Sequence, residues 1–405
     1  MVRSSHRLHG AFVISEVALT IVLLVCAGAL GRALLRLSAL DPGVNIHNVL
    51  TARTALSPSI LTNPGRTRAA WQDILDRARQ VPGVEAAAMI DTVPMREGSN
   101  PIPYRTSAAQ IPEGQEPVVL ANCTTPDYLK VMGISLRSGR FLTDEDRAGS
   151  QPVVVIDDVM ARDAFPGKNP IGKHVWIGFT TDPATVVGVV GHVRQWGLAG
   201  DDQSKIRAQL YYPFAQVPDA FVRRWSELMS IAVRARVEPM SLLQPLRSEF
   251  RGALNDQVLY EVHTLEELDS ASLARQRFLM LLFGTFAALA LLLASIGLYG
   301  VVAYLTRQRV AEIGVRMALG ASAREVMWMV LRNSFTMVLA GVVAGAVAAV
   351  AALRLLARLV EGVRGADPDV FALMVLVLIA AAMVASFLPA RHASRIDPMR
   401  ALRQD

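Results

Sequence analysis

The sequence is poor in the patterns that build most catalytic and metal sites. It has no H-E-x-x-H, G-x-S-x-G or paired C-x-x-C motif, so the usual signatures of metalloproteases, serine hydrolases and cysteine-ligated zinc are absent. Its two cysteines, Cys26 and Cys123, are too few for a disulfide framework. The histidines of the long central region are too scattered to predict a metal site, and we interpret each as an ordinary residue: His47, His174, His192 and His263. An enzyme is not predicted, although a site assembled from distant residues stays open.

The chain also lacks a nucleic-acid-binding pattern. Its formal net charge is +6, but no basic patch is interleaved with aromatic residues. Arginines that flank apolar runs account for part of the positive excess. We therefore predict no nucleic-acid partner.

Long apolar runs dominate what is present. Hydrophobic residues make up 52% of the 405 residues, more than an ordinary globular domain contains. Four runs are long enough to cross the roughly 30 Å hydrocarbon core of a bilayer: residues 11–31, 278–304, about 333–353 and 370–388. The first run has an alternative interpretation as a cleaved signal peptide, because Arg3 and Arg7 precede it and it contains the small residues of CAGA. The fold class predicted is a membrane protein with four transmembrane helices.

Loop charges predict the orientation of these helices. The segments before the first run, between the second and third, and after the fourth are rich in arginine, whereas residues 354–369 balance three arginines with three acids. We expect both termini in the cytoplasm. The predicted organisation is an N-terminus with the first helix in residues 1–36, an outer domain in residues 37–277, and the other helices with a C-terminal tail in residues 278–405.

One stretch resembles a nucleotide-binding loop. GKNPIGKH, residues 167–174, is one residue short of a Walker A motif, but His174 stands where the Mg²⁺-binding hydroxyl belongs. Pro170 interrupts the loop, and HVWIG reads as a strand instead of the helix that such a loop opens. The predicted topology also places it outside the cytoplasm. We interpret it as a turn that leads into a strand.

The outer domain is predicted to be α+β. Strand-like residues 49–56 and 84–90 flank a helix at 65–81, and a last unit pairs a strand at 229–236 with a helix at 240–254 and a strand at 258–263. Between them, Thr125 can cap a short helix with Pro126 at its first position. The rest of this block reads as a helix over residues 157–165 and several strands, namely PVVVIDD, HVWIG, ATVVGVVGHVR and AQLYYPF.

A short amphipathic helix is predicted at the inner membrane surface, at about residues 310–321. Glu312 and Arg316 are spaced to pair on one helix face. Ile313, Met317 and Gly320 fall on an apolar side, and a capping box at Ser322 and Glu325 starts the next helix. Two interpretations stay open, a helix that rests on lipid headgroups and a docking element for a cytoplasmic partner.

The flanking spans carry further signals. A capping box at Thr264 and Glu267, with no Gly or Pro before Gly284, predicts one helix that starts outside the membrane and enters it unbroken. Gly341 and Gly345 form a G-x-x-x-G step, which permits close helix contact. Glu16 is expected to reach headgroups near the cytoplasmic end of its span, so no mid-membrane charge marks an ion-coupled transporter.

Taken together, six stretches resemble the MacB/FtsX-like permeases of ABC transporters. They are EVALTIVLLVCAGAL, TPDYLKVMGISLRSGRFLTDEDRAG, PVVVIDDVMARDAFPGKNPIGK, VVGVVGHVR, RQRVAEIGVRMALGAS and PARHASRIDPMRALR. The resemblance covers nearly the whole chain and implies an inner-membrane permease with a MacB-like periplasmic core domain. It implies a dimer that passes conformational change from a cytoplasmic ABC ATPase to the periplasmic domain for efflux.

The resemblance also implies site residues and partners. The residues that would contact the ATPase are Glu312, Ile313, Arg316, Met317, Ala318, Leu319 and Gly320. No ATPase domain is fused to the chain, so ATP and Mg²⁺ would be bound by the partner and no cofactor by this chain. Further implied partners are membrane lipid, a second permease copy, a periplasmic adaptor and an outer-membrane channel. The chain is similar to the C-terminal half of long duplicated permeases, which leaves homodimer and heterodimer open.

Two other functions stay open at the level of sequence. One is an FtsX-like regulator that moves no substrate and activates an envelope hydrolase or a signalling partner. The other is a degenerate permease without an ATPase. The sequence does not identify a substrate.

Overall fold

The computed structural model describes residues 2–96, 100–109, 111–112, 114–253, 259–308, 315, 322–360, 362–363, 365 and 367–393. The chain divides into two compact units. One, called the helical unit, comprises residues 1–38 and 274–405, and the other, called the α/β unit, comprises residues 39–273.

The helices fall into long apolar ones and shorter ones. In chain order they are α1 (Val2–Ser38), α2 (Pro58–Leu61), α3 (Pro64–Gln80), α4 (Tyr128–Met132), α5 (Asp158–Ala164), α6 (Gly197–Gly200), α7 (Asp219–Leu228), α8 (Leu243–Ala253), α9 (Leu265–Ser272), α10 (Ala274–Gln308), α11 (Ala323–Leu359) and α12 (Pro368–Ala393). Short 3₁₀ turns lie at Asp201–Gln203, Phe214–Gln216 and Pro239–Leu242.

The strands in the described part of the chain all belong to the α/β unit. They are β1 (Val49–Arg53), β2 (Val84–Ile90), β3 (Pro101–Arg105), β4 (Val118–Thr124), β5 (Leu136–Gly139), β6 (Val153–Asp157), β7 (His174–Ile177), β8 (Ala184–Val190), β9 (Gln209–Pro213), β10 (Ser230–Ala235) and β11 (Tyr260–Thr264). Within the described residues they form one mixed sheet in the order β11-β1-β10-β2-β4-β3-β7-β8-β6-β9, with β5 on β8 and an added pairing of β4 with β9. The pairs β4–β9 and β6–β8 are parallel and the others antiparallel.

Local sequence explains the helix that packs on this sheet. Asn63 accepts a hydrogen bond from the backbone N–H of Arg66 and caps α3, and Pro64 occupies its first turn. Trp71 and Leu75 are buried on one face of α3, next to the residues of β2 in the core. The amphipathic pattern thus fixes which face of the helix meets the sheet.

Four apolar helices lie in the helical unit. Among the described residues, Gly10–Ser38, Ala274–Gln308, Arg324–Leu359 and Pro368–Phe387 are long and apolar enough to cross a membrane. Their bounds contain or overlap the four predicted runs. The predicted architecture, four membrane helices with a large α+β domain between the first and second, is therefore confirmed.

Helix α1 contacts the described helices α10, α11 and α12. Gly341 and Gly345 of α11 are buried against it, so that a Cβ at Gly341 would lie 2.6 Å from Cγ1 of Val17. On another side, a Cβ at Gly28 would lie 2.7 Å from Cγ1 of Val370 in α12. These glycines allow close helix approach, and α1 thereby forms the centre of the helical core.

The structure corrects the expectation for Glu16. Its carboxylate lies against Gly297 of α10, where a Cβ would overlap Oε2, and Oε2 is buried without a hydrogen-bond partner. One turn further on, the Thr20 hydroxyl donates to the carbonyls of Glu16 and Ala290. The side chain points to a neighbouring helix and not to the headgroups, because Gly297 leaves room for it.

Two further local predictions were wrong. The helix expected to start at Thr125 starts at Tyr128, because the Thr125 hydroxyl accepts the backbone N–H of Met89 on β2 and caps nothing. The helix expected to run unbroken from Thr264 ends at Ser272, and α10 starts at Ala274. Between them Leu273 is 1% exposed and its N–H turns back to the Ser270 carbonyl. A single buried residue, Leu273, thus separates the two helices.

Candidate functional site

The predicted ATPase contacts lie outside the described residues. They are Glu312, Ile313, Arg316, Met317, Ala318, Leu319 and Gly320. The elements on either side are described: α10 ends at Gln308, and α11 starts at a capping box in which Ser322 and Glu325 bond to each other's backbone N–H. The predicted box is therefore confirmed.

Two parts of the α/β unit lead to the apolar helices along the chain. The first, called the entry segment, is residues 39–48, which follow α1. The second is α9, which precedes α10 and starts at the predicted capping box of Thr264 and Glu267, also confirmed. The His47 Nδ1 lies 2.5 Å from Oε1 of Glu266, so the entry segment and α9 touch each other.

A third element contacts both of them. This element, called the junction segment, is residues 191–203, and it includes α6. On the entry side, the backbone N–H of Arg194 donates to the Pro42 carbonyl over 3.0 Å, and its Nε donates to the Asp41 carbonyl over 3.1 Å. On the other side, Gly197 packs on Ser272 of α9, where a Cβ at Gly197 would lie 3.0 Å from the Ser272 Cβ.

Two glycines make these contacts possible. Gly43 has φ of +79° and Gly197 has φ of +81°, backbone conformations that other residues rarely adopt. A Cβ at Gly43 would overlap the backbone oxygen of His192. Both the conformation and the close approach therefore require glycine at these positions.

His192 fixes the junction segment to the sheet. Its Nδ1 lies 2.6 Å from Oδ2 of Asp157, and its Nε2 lies 2.8 Å from Oδ2 of Asp201. Both carboxylates are fully buried and the imidazole is 13% exposed. Because both ring nitrogens face carboxylates, the imidazole is protonated and donates two hydrogen bonds. Arg207 adds a longer contact of 3.3 Å to Asp201.

Asp157 ties this cluster to three other elements. It ends β6, and its Oδ1 accepts the N–H of Met160 and so caps α5. The same oxygen accepts the N–H of Gln209 on β9. The amide of Gln209 donates over 2.5 Å to the carbonyl of Val193, which follows His192. The junction segment is thus anchored to β6, α5 and β9 together.

The charges of Asp157, His192 and Asp201, called the His192 cluster, depend on one another. Burial opposes the charge of His192, but the hydrogen bonds and charges of Asp157 and Asp201 outweigh it and raise the pKa of His192 to about 9. Burial also raises the pKa of Asp157, although its hydrogen bond from His192 acts against this shift. Oδ1 of Asp201 is buried without a hydrogen-bond partner. Removal of the imidazole would therefore leave the buried Asp157 carboxylate without its cation, and would leave Asp201 with only the longer contact to Arg207.

This cluster predicts a pH dependence of stability. The pKa of His192 in the folded protein is raised above its ordinary value of 6.5, so the stabilisation is complete below pH 6.5 and is lost as the pH rises through about 9. We expect the free energy of unfolding to fall by roughly 3–3.5 kcal/mol across this window, since each pKa unit between 6.5 and about 9 is worth about 1.4 kcal/mol. Thermal unfolding of the full chain in detergent, followed by circular dichroism from pH 6 to 10, measures it.

His192→Gln should flatten this dependence. The control is His174→Gln, since the imidazole of His174 is exposed and should leave the pH profile unchanged. Equal profiles for the wild type and His192→Gln would contradict the assigned protonation state.

The sequence did not point to this cluster. His192 was interpreted as an ordinary residue, and its partners are 35 and 9 residues away in the chain. A weak signal exists in the sequence, because Asp157 stands at the start of a predicted helix and His192 lies near the end of a predicted strand. Within the described ranges, no three His, Cys, Asp or Glu side chains are placed to hold a metal ion.

A cleft also opens on the α/β unit. Its volume is about 640 Å³, which is in the range of small-molecule sites. Arg79 in its wall is paired with Asp76 and Asp127, and Asp146 is held by both terminal nitrogens of Arg140. Several charges of the wall are therefore already paired, and the cleft does not select a ligand class.

The Walker-like loop is a turn, as predicted. The Asn169 side chain accepts the N–H of Ile171, and the N–H of Lys173 donates to the Pro170 carbonyl. The chain then enters β7, with His174 as its first residue. A strand follows where a phosphate-binding loop would open a helix.

Two family models match this chain. A model described as the MacB-like periplasmic core domain matches residues 12–251, and one described as the FtsX-like permease C-terminal matches residues 284–398. The chain belongs to the MacB/FtsX-like family of ABC transporter permeases. Its α/β unit is thus a MacB-like periplasmic core domain, and the described parts of α10, α11 and α12 belong to an FtsX-like permease region.

Several permease proteins are similar in sequence to this MacB/FtsX-like permease. An uncharacterized ABC transporter permease, YknZ of Bacillus subtilis, is 25% identical over 295 residues, which are 72% of this chain and 71% of YknZ. The macrolide export ATP-binding/permease protein MacB of Agrobacterium fabrum is 28% identical, over 69% of this chain and 42% of that one. The pyoverdine export ATP-binding/permease protein PvdT of Pseudomonas putida is 29% identical, over 66% and 40%. The matched part spans about two fifths of MacB and PvdT.

Solved structures resemble the α/β unit only distantly. The periplasmic region of MacB from Actinobacillus actinomycetemcomitans gives a TM-score of 0.39 at 18% identity, and covers 58% of this chain and 97% of that one. The extracellular domain of YknZ gives a TM-score of 0.34 at 18% identity, and covers 53% and 100%.

Proposed function

We propose that this chain is the permease subunit of an ABC transporter that transmits ATP-driven conformational change to its α/β unit for export. The observation that carries the proposal is the junction segment, which contacts both parts of the α/β unit that continue into membrane helices. In this proposal, a displacement of α1 or α10 passes along the chain to the entry segment or α9. It then reaches the sheet through the junction segment. The family match supports the same function.

The proposed topology follows from the distribution of arginines. Both termini and the segment between α10 and α11 lie in the cytoplasm, and the α/β unit lies in the periplasm. The protein is placed in the bacterial inner membrane. A separate ABC ATPase binds and hydrolyses ATP with Mg²⁺, and this chain supplies no catalytic group.

The assembly proposed is a dimer of permeases with that ATPase. The relatives MacB and PvdT are named as ATP-binding/permease proteins, so permease and ATPase functions occur together in related proteins. A periplasmic adaptor and an outer-membrane channel complete the export path in this proposal.

Charge reversal between α10 and α11 tests the coupling. We expect Glu312→Arg and Arg316→Glu, made separately, to abolish export and to weaken association with the ATPase, because each leaves a like-charged pair at helix spacing and changes the docking surface. Association is measured by co-purification and export by accumulation of a labelled substrate.

The matched control is Arg358→Glu near the other end of α11, where the side chain is exposed. It reverses one charge outside the predicted ATPase contact and should keep association and export. Unchanged association and export in both test variants would refute the proposed coupling role.

The FtsX-like match favours a second candidate function. In it the chain moves no substrate and instead activates an envelope hydrolase or a signalling partner on the periplasmic side. Deletion distinguishes the two: altered drug susceptibility or loss of export supports the transporter, whereas a cell-wall phenotype with a bound hydrolase supports the regulator.

A further inference from the structure

We infer that the junction segment, residues 191–203, is the relay through which movements of α1 and α10 reach the sheet, and that His192 is the residue that positions it. This inference rests on the proposed function. It adds a specific path within the α/β unit, made of residues that no sequence motif marks.

The first step of the path is on the entry side. Asp41 and Pro42 accept hydrogen bonds from Arg194, and Gly43 lies against the backbone oxygen of His192. The N–H of Gly43 is itself held by Oδ1 of Asp41 over 2.9 Å. Asp41, Pro42 and Gly43 therefore all contact the junction segment. They follow the end of α1 by only a short stretch of chain.

The second half of the entry segment contacts other elements of the α/β unit. The N–H of Asn45 donates to the Met132 carbonyl over 2.7 Å, and Arg234 donates to the carbonyls of Asn45 and His47. These contacts fix its second half to α4 and β10. The half nearest to α1 is the part that contacts the junction segment.

The second step is on the side of α9. α6, in the middle of the junction segment, packs on α9, and Gly197 meets Ser272 at its last turn. Ser272 is two residues before α10 starts at Ala274. The junction segment thus touches the α/β unit next to both points where the chain continues into apolar helices.

The third step is the anchor on the sheet. His192 stands at one end of the junction segment and Asp201 near the other, and the imidazole bonds to both Asp201 and Asp157. It therefore closes the segment on itself and ties it to β6. Arg194 and Arg207 both contact Asp202 as well, over 3.1 and 3.2 Å.

The buried ion pairs of His192 with Asp157 and Asp201 favour transmission of movement over a purely stabilising role. Buried ion pairs stabilise little relative to apolar packing, but they specify one geometry, because a shifted partner leaves an unpaired buried charge. A segment held in this way moves with β6 and β9 as one body. Movement at Pro42 or Ser272 is then passed on and not absorbed locally.

A set of glycine substitutions with matched backbone cost tests this path. Gly43→Ala and Gly197→Ala each place a Cβ into one side of the junction segment. Gly167→Ala is the control, since Gly167 has φ of +70° but nothing within 4 Å of its Cβ position. All three variants carry the strain of alanine at positive φ, and only the first two disturb the relay.

The full chain is reconstituted with its ATPase in nanodiscs, and three properties are measured: association with the ATPase, ATP-dependent change in amide exchange of residues 153–157 and 209–213, and export in cells. We expect Gly43→Ala and Gly197→Ala to keep ATPase association but to lose the ATP-dependent change in exchange and to lose export. Gly167→Ala keeps all three. His192→Gln behaves like the first two, and His192→Lys, which restores a cation, regains part of the response.

The outcomes separate this inference from the function on which it rests. An ATP-dependent change in exchange that persists in Gly43→Ala, Gly197→Ala and His192→Gln as in the control overturns the relay and leaves the transmission function intact. Absence of any ATP-dependent change in the wild-type α/β unit overturns both. If a variant does not fold, circular dichroism shows it, and the other variants decide.

Discussion

Gly345→Ala is expected to destabilise the helical unit strongly. A Cβ at this position would overlap Cγ2 of Ile21 and lie 2.7 Å from the backbone oxygen of Ala18, both on α1. A clash with a backbone atom is not relieved by a rotamer change, so α1 and α11 must separate. The overpacking should cost about 1–3 kcal/mol or more, which exceeds the roughly 1 kcal/mol that alanine gains over glycine in a helix.

The measurement is the melting temperature of the full chain in detergent, with size-exclusion chromatography after heating as the readout. Gly300→Ala on α10 is the matched control, because nothing lies within 4 Å of its Cβ position. It should be neutral or slightly stabilising. Equal melting temperatures for the two variants would show that α1 and α11 are not in close contact.

Trp71→Ala is expected to have the largest effect on the α/β unit. The indole is 1% exposed in the core between α3 and the sheet, and its Nε1 donates to the hydroxyl of Ser226 on α7 over 2.6 Å. Truncation leaves a cavity and an unpartnered buried hydroxyl. We expect a loss of about 3–5 kcal/mol in the free energy of unfolding.

Trp71→Phe separates the two contributions. It keeps most of the ring packing but removes the hydrogen bond to Ser226, whose side chain is buried, and should cost about 1–3 kcal/mol. Denaturant unfolding followed by far-ultraviolet circular dichroism measures both variants. A cost for Trp71→Ala no larger than that for Trp71→Phe would contradict the placement of α3 against the sheet.

Regular patterns in the sequence predicted much of the fold. The apolar runs predicted the four candidate spans of the described residues. The hydrocarbon core requires a spanning helix to be long and uncharged, and both properties can be read from the sequence. The residues predicted for β2, 84–90, agree with the strand Val84–Ile90, and the helix at 65–81 differs from Pro64–Gln80 by one residue at each end. The capping boxes at Thr264 and Ser322 were found because they combine two local signals at fixed spacing.

Elements whose stability depends on tertiary contacts were missed. β3, β4 and β5 were not predicted, and neither was α7. β3 has two prolines in five residues, which argue against a strand, and all of β5 is exposed. β3 and β5 are held by their neighbours in the sheet and not by their own composition.

The candidate site was harder to predict than the fold. Its residues are ordinary in type and distant in sequence: Gly43, Asp157, His192, Gly197 and Asp201. Only the order of β6, β8 and β9 in the sheet brings Asp157 to His192. The residues implied by family resemblance stay a prediction because they lie outside the described residues: Glu312, Ile313, Arg316, Met317, Ala318, Leu319 and Gly320.

The most direct test of the account is amide exchange in the wild-type chain bound to its ATPase, with and without ATP. The account predicts that ATP changes the exchange of residues 41–45 and 191–203 together, and that Glu312→Arg removes this change. Exchange in the α/β unit that is the same in both nucleotide states would contradict the claim that this permease transmits ATP-driven conformational change.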